Sequence, residues 1–535
     1  VRVAEAVGRA LAELGADHVF GVVGSGNFHV TNALVGAGAR FVAARHEGGA
    51  ATMADAYART SGRLGVLSVH QGCGLTNALT GITEAAKSRT PLVVLAAEAT
   101  APRSNFHVDQ SALAESVGAV AERVAAGSAV DDVVRAVRRA VHERRTVVLN
   151  LPLDVQAAQT TPVPAALPEP PAAPGPTGAA ALAAAIDAAR RPVFIAGRGA
   201  RHARAALEQL ADRCGALLAT SAVGHGLFNG NPWALGISGG FASPLAAELI
   251  TGADLVVGWG CALNMWTTRH GALIGAGATV AQVDLDADAL GRHHPIDVGV
   301  TGDVGTVADA VDVAESPGYR SPELAERIAA TARWRDVRYD DESEKDRIDP
   351  RTLSLLLDDL LPAQRVVGVD SGNFMGYPSA YLSVPDEFGF CFTQAYQSIG
   401  LGLATTIGAA LARPDRLPVA ALGDGGGLMS IAELDTVRRL GLPMVIVVYN
   451  DDGYGAEIHH FAPEGEPLDT VRFPDTDIAA IGRGFGCTAI TVRGAGDLAG
   501  VGEWLAGPRD TPLLLDAKVT NRHGSWWLEE AFRGH

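Results

Sequence analysis

The sequence predicts an α/β protein built as three doubly wound, parallel-sheet domains. Short β-branched runs alternate with stretches of helical periodicity, the pattern of parallel strands joined by crossover helices. Two stretches, 156–178 and 315–348, interrupt that alternation. The length of 535 residues also exceeds one hydrophobic core, at ~150–200 residues per domain.

The first domain is read over 1–156. Val3–Leu14 is a helix, and His18–Val23 is a strand that ends in Gly24-Ser25-Gly26. Phe41–Ala44 runs into Arg45-His46-Glu47 and then a small-residue helix, Gly48–Arg59. Gly65–Val69 stops at His70-Gln71-Gly72-Cys73-Gly74, and Pro91–Ala97 and Thr146–Leu151 are buried-type strands. Residues 156–178 are rich in Pro and Ala and read as a linker.

A central domain follows over 179–314, with strands at Pro192–Ala196, Leu255–Gly258 and Val280–Val283 and a helix over Ala203–Cys214. Its Gly197-Arg198-Gly199 is a weak sign of a dinucleotide, because the full fingerprint is missing, and is read as packing. Residues 315–348 read as a charged, mostly helical linker. The third domain is placed at 345–535, with its α/β unit over 349–520 and a tail from 521 that carries Trp526 and Trp527.

Composition narrows the function. With 47% hydrophobic and 19% charged residues the chain is a large-cored globular protein. A net charge of −17 argues against nucleic acid and anionic membrane surfaces as partners. No apolar run reaches the ~18 residues of a membrane span. The five cysteines are scattered without a CxxC pair, which points to a reducing, cytoplasmic setting and no structural zinc.

The most informative stretch is 417–457. It reads strand (Val419–Leu422), glycine turn (Gly423-Asp424-Gly425), helix (Ser430–Leu440), strand (Met444–Val448) and polar turn (Asn450-Asp451). Parallel strands joined by a helix bring Asp424 and Asp451 to neighbouring carboxyl ends, where open α/β sheets bind ligands. Two carboxylates beside glycines suit a hard divalent cation that in turn holds a phosphate. The spacing alone is equally compatible with a plain βαβ unit whose Asp and Asn cap turns.

Gly423-Asp424-Gly425 followed by Asn450-Asp451 resembles the signature of thiamine diphosphate enzymes. With Arg45-His46-Glu47 and the three-domain order, the chain is similar to the acetolactate synthase and benzoylformate decarboxylase-like family over essentially its whole length. The resemblance implies pyrimidine-binding, central and diphosphate-binding domains in that order. It implies magnesium held by Asp424, Asp451 and the carbonyl of Gly453. Asp451 stands where the family usually has Asn, which implies tighter metal binding and weaker diphosphate binding without metal. Glu47 matches the glutamate that bonds the cofactor's aminopyrimidine. Ile399, in Gln397–Gly402, matches the large apolar residue beneath the thiazolium. Asp370, Ser371, Gly372 and Asn373 are expected near the diphosphate. Gly423, Gly425, Gly426 and Gly427 are expected to offer backbone donors, and Tyr454 and Gly455 to close the same pocket.

His70 and Ser25 match catalytic and pocket positions of benzoylformate decarboxylase-like enzymes, and Gln110 matches a glutamine of acetolactate synthase and benzaldehyde lyase types. His29, His107, His459 and His460 are further neighbours. The resemblance implies at least a homodimer and commonly a homotetramer, because the two cofactor-binding domains of one site come from different subunits. The central domain shows no flavin signature, so FAD is not expected. The implied reaction is decarboxylation of a 2-oxo acid with acyl transfer or carboligation. The alternative is a benzaldehyde lyase-like reaction on 2-hydroxy ketones or diones without CO2 release. Intact Glu47, Asp424 and Ile399 argue against a silent relative, and the lack of a complete GxGxxG argues against a nicotinamide dehydrogenase.

Overall fold

The computed structural model describes residues 1–170 and 175–531; residues 171–174 of the first linker and 532–535 of the tail lie outside the described residues. Three six-stranded sheets, parallel throughout, account for the described strands. The first holds β1 (His18–Gly21), β2 (Arg40–Ala43), β3 (Gly65–Val69), β4 (Leu92–Glu98), β5 (Val120–Arg123) and β6 (Thr146–Pro152), in the order 2-1-3-4-6-5. The second holds β7 (Pro192–Ala196), β8 (Leu217–Thr220), β9 (Ala234–Ile237), β10 (Leu255–Trp259), β11 (Thr279–Asp284) and β12 (Val298–Thr301), in the order 12-11-10-7-8-9. The third holds β13 (Arg365–Val369), β14 (Phe390–Phe392), β15 (Leu417–Gly423), β16 (Val445–Asn450), β17 (Thr488–Val492) and β18 (Leu513–Lys518), in the order 14-13-15-16-18-17. The outer sheets therefore repeat one topology, and the central sheet has the order of the dinucleotide-binding fold.

The central strands are buried along their whole length, as expected where helices cover both faces of a parallel sheet. The outer domains share one core. Ala50, Met53 and Ala54 of helix Glu47–Ser61 pack with Leu403, Ala404 and Ile407 of helix Gly402–Ala412. The small residues allow close approach: a Cβ at Gly408 would lie 2.2 Å from the Met53 carbonyl. A buried ionic cluster finishes this interface. Arg59 donates to Asp55 through Nε (2.7 Å) and Nη2 (2.5 Å), and to Glu84 (2.7 Å). Each charge is paired, which is what makes burial of three of them tolerable.

Two expectations need correction. The Gly423–Gly425 segment is not a turn: Gly423 is extended and caps a helix, Asp424–Met429, which gives way to a 3-10 turn before Leu434–Leu440. The 315–348 linker is helical only at Pro322–Thr331 and a turn at Trp334–Asp336, since Ser321-Pro322 starts that helix and the acidic run after it offers no apolar face. The tail folds back on its own chain: Trp527 is fully buried against Gly376 and Tyr377, and Trp526 Nε1 donates to the Gly240 carbonyl (3.0 Å). In the central domain, a Cβ on Gly197 or Gly199 would lie 2.2 or 2.9 Å from Gly260, so both glycines serve close packing.

Candidate active site

In the third sheet the chain changes direction between β13 and β15, the point where open α/β sheets bind ligands. Asp424 is the first helical residue after β15, and Asp451 is the first residue after β16, its parallel neighbour. Each is 8% exposed. Asp424 Oδ2 accepts from the Gly453 N–H (3.1 Å), which folds the Asp451–Gly453 turn over it. Burial pushes both carboxyls up from the ordinary carboxylate range, and the Asp424 charge pushes Asp451 further. Among the described residues no group of three or more His, Cys, Asp and Glu side chains is gathered for a metal. Two carboxylates and a backbone turn are thus the donor set here.

The glycines around them are sterically required. A Cβ would lie 2.5 Å from the Tyr454 ring at Gly425, 2.5 Å from Asp370 Oδ2 at Gly426, and 2.2 Å from Asp451 Oδ2 at Gly455. A cavity of about 1900 Å³ is bordered by Ser371–Asn373, Ile399, Gly423–Gly426, Asp451 and Gly453–Gly455. Gly427 and Asp370, also expected there, do not border it. Asp370 lies fully buried beneath and accepts from the N–H of Ser371 (2.8 Å), Gly400 (3.0 Å) and Leu401 (3.2 Å). Its burial pushes the carboxyl up to about 6 against those bonds. Asp370 therefore holds the Ile399 loop, whose Gly400 has φ +87, rather than facing a ligand.

The first-domain residues gather at the matching edge of the first sheet. Glu47 opens its helix behind the His46 cap and accepts from Asn77 Nδ2 (3.1 Å). His70 follows β3, and its Nδ1 accepts from the Gly26 N–H (3.2 Å), which leaves the proton of the neutral ring on Nε2. Burial lowers the His70 pKa, and the Glu47 charge opposes that. Ser25 is exposed on the same turn, which Asn27 holds by accepting from the Gly24 N–H (2.9 Å). Gln110 is a correction. Its Oε1 accepts from the Gly72 N–H (3.0 Å) and its Nε2 donates to Asn150 Oδ1 (2.8 Å). Both ends are engaged in a buried position, so Gln110 shapes the Gly72 turn.

None of Ser25, Glu47, His70 and Gln110 borders that cavity, although it also runs past Arg59 of the first domain and Arg198 of the central one. The first-domain cluster and the Asp424–Asp451 pair are thus two separate groups of one chain. Of the other histidines, His29 is exposed, His107 Nδ1 lies 3.0 Å from the Ala99 carbonyl oxygen, His459 sits beneath Gly524 and His460 packs on Phe461. Three residues went unread in the sequence. Gln71 is buried beside His70, with an Oε1 that has no hydrogen-bond partner among the described residues. Glu457 borders the cavity, two residues after Gly455. Ser525 donates to the Asn373 carbonyl (2.7 Å) and Oδ1 (2.8 Å), and Asn373 in turn bonds the Asp451 carboxylate. Adjacency to His70 and to the Asp451–Gly453 turn could have flagged the first two; nothing local marks Ser525.

Two outer sheets of one topology, each with polar residues at its switch point, define a multidomain α/β protein with the ligand-binding layout of open parallel sheets. Residues 1–126 match the family model described as the N-terminal TPP binding domain of thiamine pyrophosphate enzymes, residues 179–311 the central domain, and residues 370–517 the C-terminal TPP binding domain. The chain belongs to the thiamine pyrophosphate enzyme family and is a thiamine diphosphate-dependent enzyme. It is 33% identical to a probable 2-ketoarginine decarboxylase of Pseudomonas aeruginosa, over 90% of this chain and 88% of that protein. A sulfoacetaldehyde acetyltransferase of Rhodobacter capsulatus is 29% identical over 85% of this chain and 82% of its own length. An acetolactate synthase large subunit of Parasynechococcus marenigrum is 28% identical over 95% and 86%.

Proposed function

We propose that this enzyme decarboxylates a 2-oxo acid and transfers the acyl unit to an acceptor, with thiamine diphosphate and Mg2+ held between two copies of the chain. The observation that carries the reading is the pair Asp424 and Asp451, two buried carboxylates at adjacent strand ends with glycine backbone beside them. That donor set fits the group. A divalent cation would relieve the repulsion of the pair, and magnesium takes one or two carboxylates with the remainder from carbonyl, water and phosphate. The Gly453 carbonyl would be the third protein ligand, and Gly425 and Gly426, in the first turn of helix Asp424–Met429, would offer N–H groups to the diphosphate.

When bound, the cofactor supplies a nucleophilic carbanion and then an electron sink. The chain's own residues position it and move protons. Ile399, on the loop pinned by Asp370, supports the ring from below. Glu47, held by Asn77, bonds the pyrimidine and starts proton relay. His70 Nε2 and Ser25 would act on the substrate, and Gln110 keeps the Gly72 turn in shape. Residues 1–156 act as the pyrimidine-binding domain and 345–535 as the diphosphate-binding domain. Because the half-sites of one chain lie apart, each centre pairs Glu47 of one protomer with Asp424 of its partner. The assembly is a homodimer at least, and a homotetramer if such dimers pair. Five free thiols fit a cytoplasmic enzyme, and no described helix is long and apolar enough to cross a membrane.

The test is CO2 release from a panel of 2-oxo acids with added thiamine diphosphate and Mg2+. The panel includes pyruvate, benzoylformate and 2-ketoarginine, the last from the name of one relative. Release that disappears in Glu47→Gln supports the reading, and the best donor names the substrate. No release from any acid, with C2 proton exchange still fast, would move the assignment to hydroxyketone or dione chemistry.

A further inference from the structure

Two buried carboxylates cross between the outer domains from equivalent places in the repeated topology. Glu84 lies on helix Cys73–Lys87, between β3 and β4; Glu433 lies between β15 and β16, their counterparts in the third sheet. Glu433 Oε1 accepts from the backbone N–H of Arg45 (3.0 Å) and of His46 (3.1 Å), and its Oε2 accepts from the Thr436 hydroxyl (2.6 Å). Glu84 Oε1 accepts from the Ala395 N–H (3.1 Å) and its Oε2 from the Tyr396 N–H (2.6 Å). The exposures are 2% for Glu433 and 0% for Glu84.

The segments held are also equivalent. Arg45-His46 lies between β2 and β3, and Ala395-Tyr396 between β14 and β15. Each leads into one of the two helices that pack the outer domains together, Glu47–Ser61 and Gly402–Ala412. Gly49 admits the crossing carboxylate, since a Cβ there would lie 2.6 Å from Glu433 Oε1. Paired N–H donors to a buried carboxylate form charge-assisted bonds, and a buried charge has few other ways to be stabilised. The backbone is therefore fixed where the carboxylate sits. Glu47 is the residue after His46, and Ile399 follows Tyr396 by three.

We propose that Glu433 and Glu84 are reciprocal positioning residues: Glu433 sets the backbone that presents Glu47, and Glu84 sets the loop that presents Ile399. The inference rests on the roles given above to Glu47 and Ile399. It links the two half-sites of one chain, so that each is registered on the domain carrying the other.

The test compares wild type with Glu433→Gln, Thr436→Val and Glu84→Gln, with Glu47→Gln as reference. Hydrogen–deuterium exchange of the cofactor-free protein reads the clamps directly. Amides over 44–50 are expected to exchange about tenfold faster in Glu433→Gln, and those over 394–400 in Glu84→Gln, with β1 and β3 unchanged. At saturating thiamine diphosphate and Mg2+, exchange of the cofactor's C2 proton is read by NMR after acid quench. It is expected to slow about tenfold or more in Glu433→Gln and severalfold in Thr436→Val, with cofactor Kd within about threefold of wild type. Thr436 is fully buried and Val keeps its shape, so this variant reads the clamp where Glu433→Gln does not fold. Wild-type C2 exchange in both, with none in Glu47→Gln, would overturn the proposal for Glu433. A slowdown matched by an equal loss of cofactor affinity would do the same, leaving Glu433 a purely structural residue. Unchanged amide exchange over 394–400 overturns the role of Glu84. Wild-type C2 exchange in Glu47→Gln would instead overturn the role of Glu47 itself.

Discussion

At the residue scale the decisive feature is Asp451. A second carboxylate faces Asp424 where one neutral amide would suffice for coordination, and both groups are buried. In the metal-free protein that arrangement costs stability; with a cation it strengthens binding. Asp451→Asn is therefore expected to raise apo stability by on the order of 1 kcal/mol while weakening Mg2+ binding about tenfold or more. Thermal unfolding without metal, and titration with Mg2+, check the two halves. The pair also sets a pH dependence. A carboxyl whose folded pKa lies above its unfolded value contributes stability that is present below about pH 4 and lost as pH rises through the folded value. Both carboxyls are raised, so the apo protein loses stability as pH climbs through the neutral range, while the cation site becomes fully charged. The gain in Tm on adding thiamine diphosphate and Mg2+ is expected to be larger at pH 8 than at pH 5.5; an equal gain at both would contradict the pairing.

At the element scale, packing overrides local propensity where the site is built. Three glycines in a row read as a turn, since each costs about 1 kcal/mol in a helix relative to Ala. They nonetheless lie in helix Asp424–Met429, where Tyr454 leaves no room for a Cβ at Gly425 and Asp370 none at Gly426. Gly426→Ala is expected to cost ~1–3 kcal/mol and to weaken cofactor binding, by pressing on Asp370 and the Ile399 loop. Ser525→Ala tests the tail: losing its bonds to Asn373 is expected to cost about 1 kcal/mol and to loosen Mg2+ severalfold, read by titration. The long central strands and the Asp424–Asp451 juxtaposition were legible in the sequence, because buried parallel strands are continuous apolar runs. Two of the edge strands were not. Val120–Arg123 and Thr488–Val492 are half exposed and lack that signature. The inner strand Leu513–Lys518 is disguised by Asp516 and Lys518, which are buried as an ion pair 3.3 Å apart. The tail contact joins residues 152 positions apart, and Gln110 resembles a site residue until its two partners are seen.

At the scale of the whole molecule, the residues proposed to serve the cofactor lie in two places on one chain. The cavity beside Asp424 and Asp451 lacks Glu47 and His70, and the first-domain cluster lacks the carboxylate pair. Exposed apolar side chains mark both: Phe28 and Phe106 on the first domain, and Met429 at the end of helix Asp424–Met429. Dilution of the holoenzyme is accordingly expected to lower specific activity as dimers dissociate, measured by activity against concentration beside sedimentation. The most direct measurement is subunit complementation. Glu47→Gln and Asp424→Asn chains, each inactive alone, are unfolded together, refolded as a mixture and assayed with cofactor. If centres are shared between protomers, half of the dimers are mixed and each has one centre with both residues intact, so roughly a quarter of wild-type activity returns. No recovery from a mixture shown to contain mixed dimers would contradict the shared site, and would place both residues of each centre in one chain.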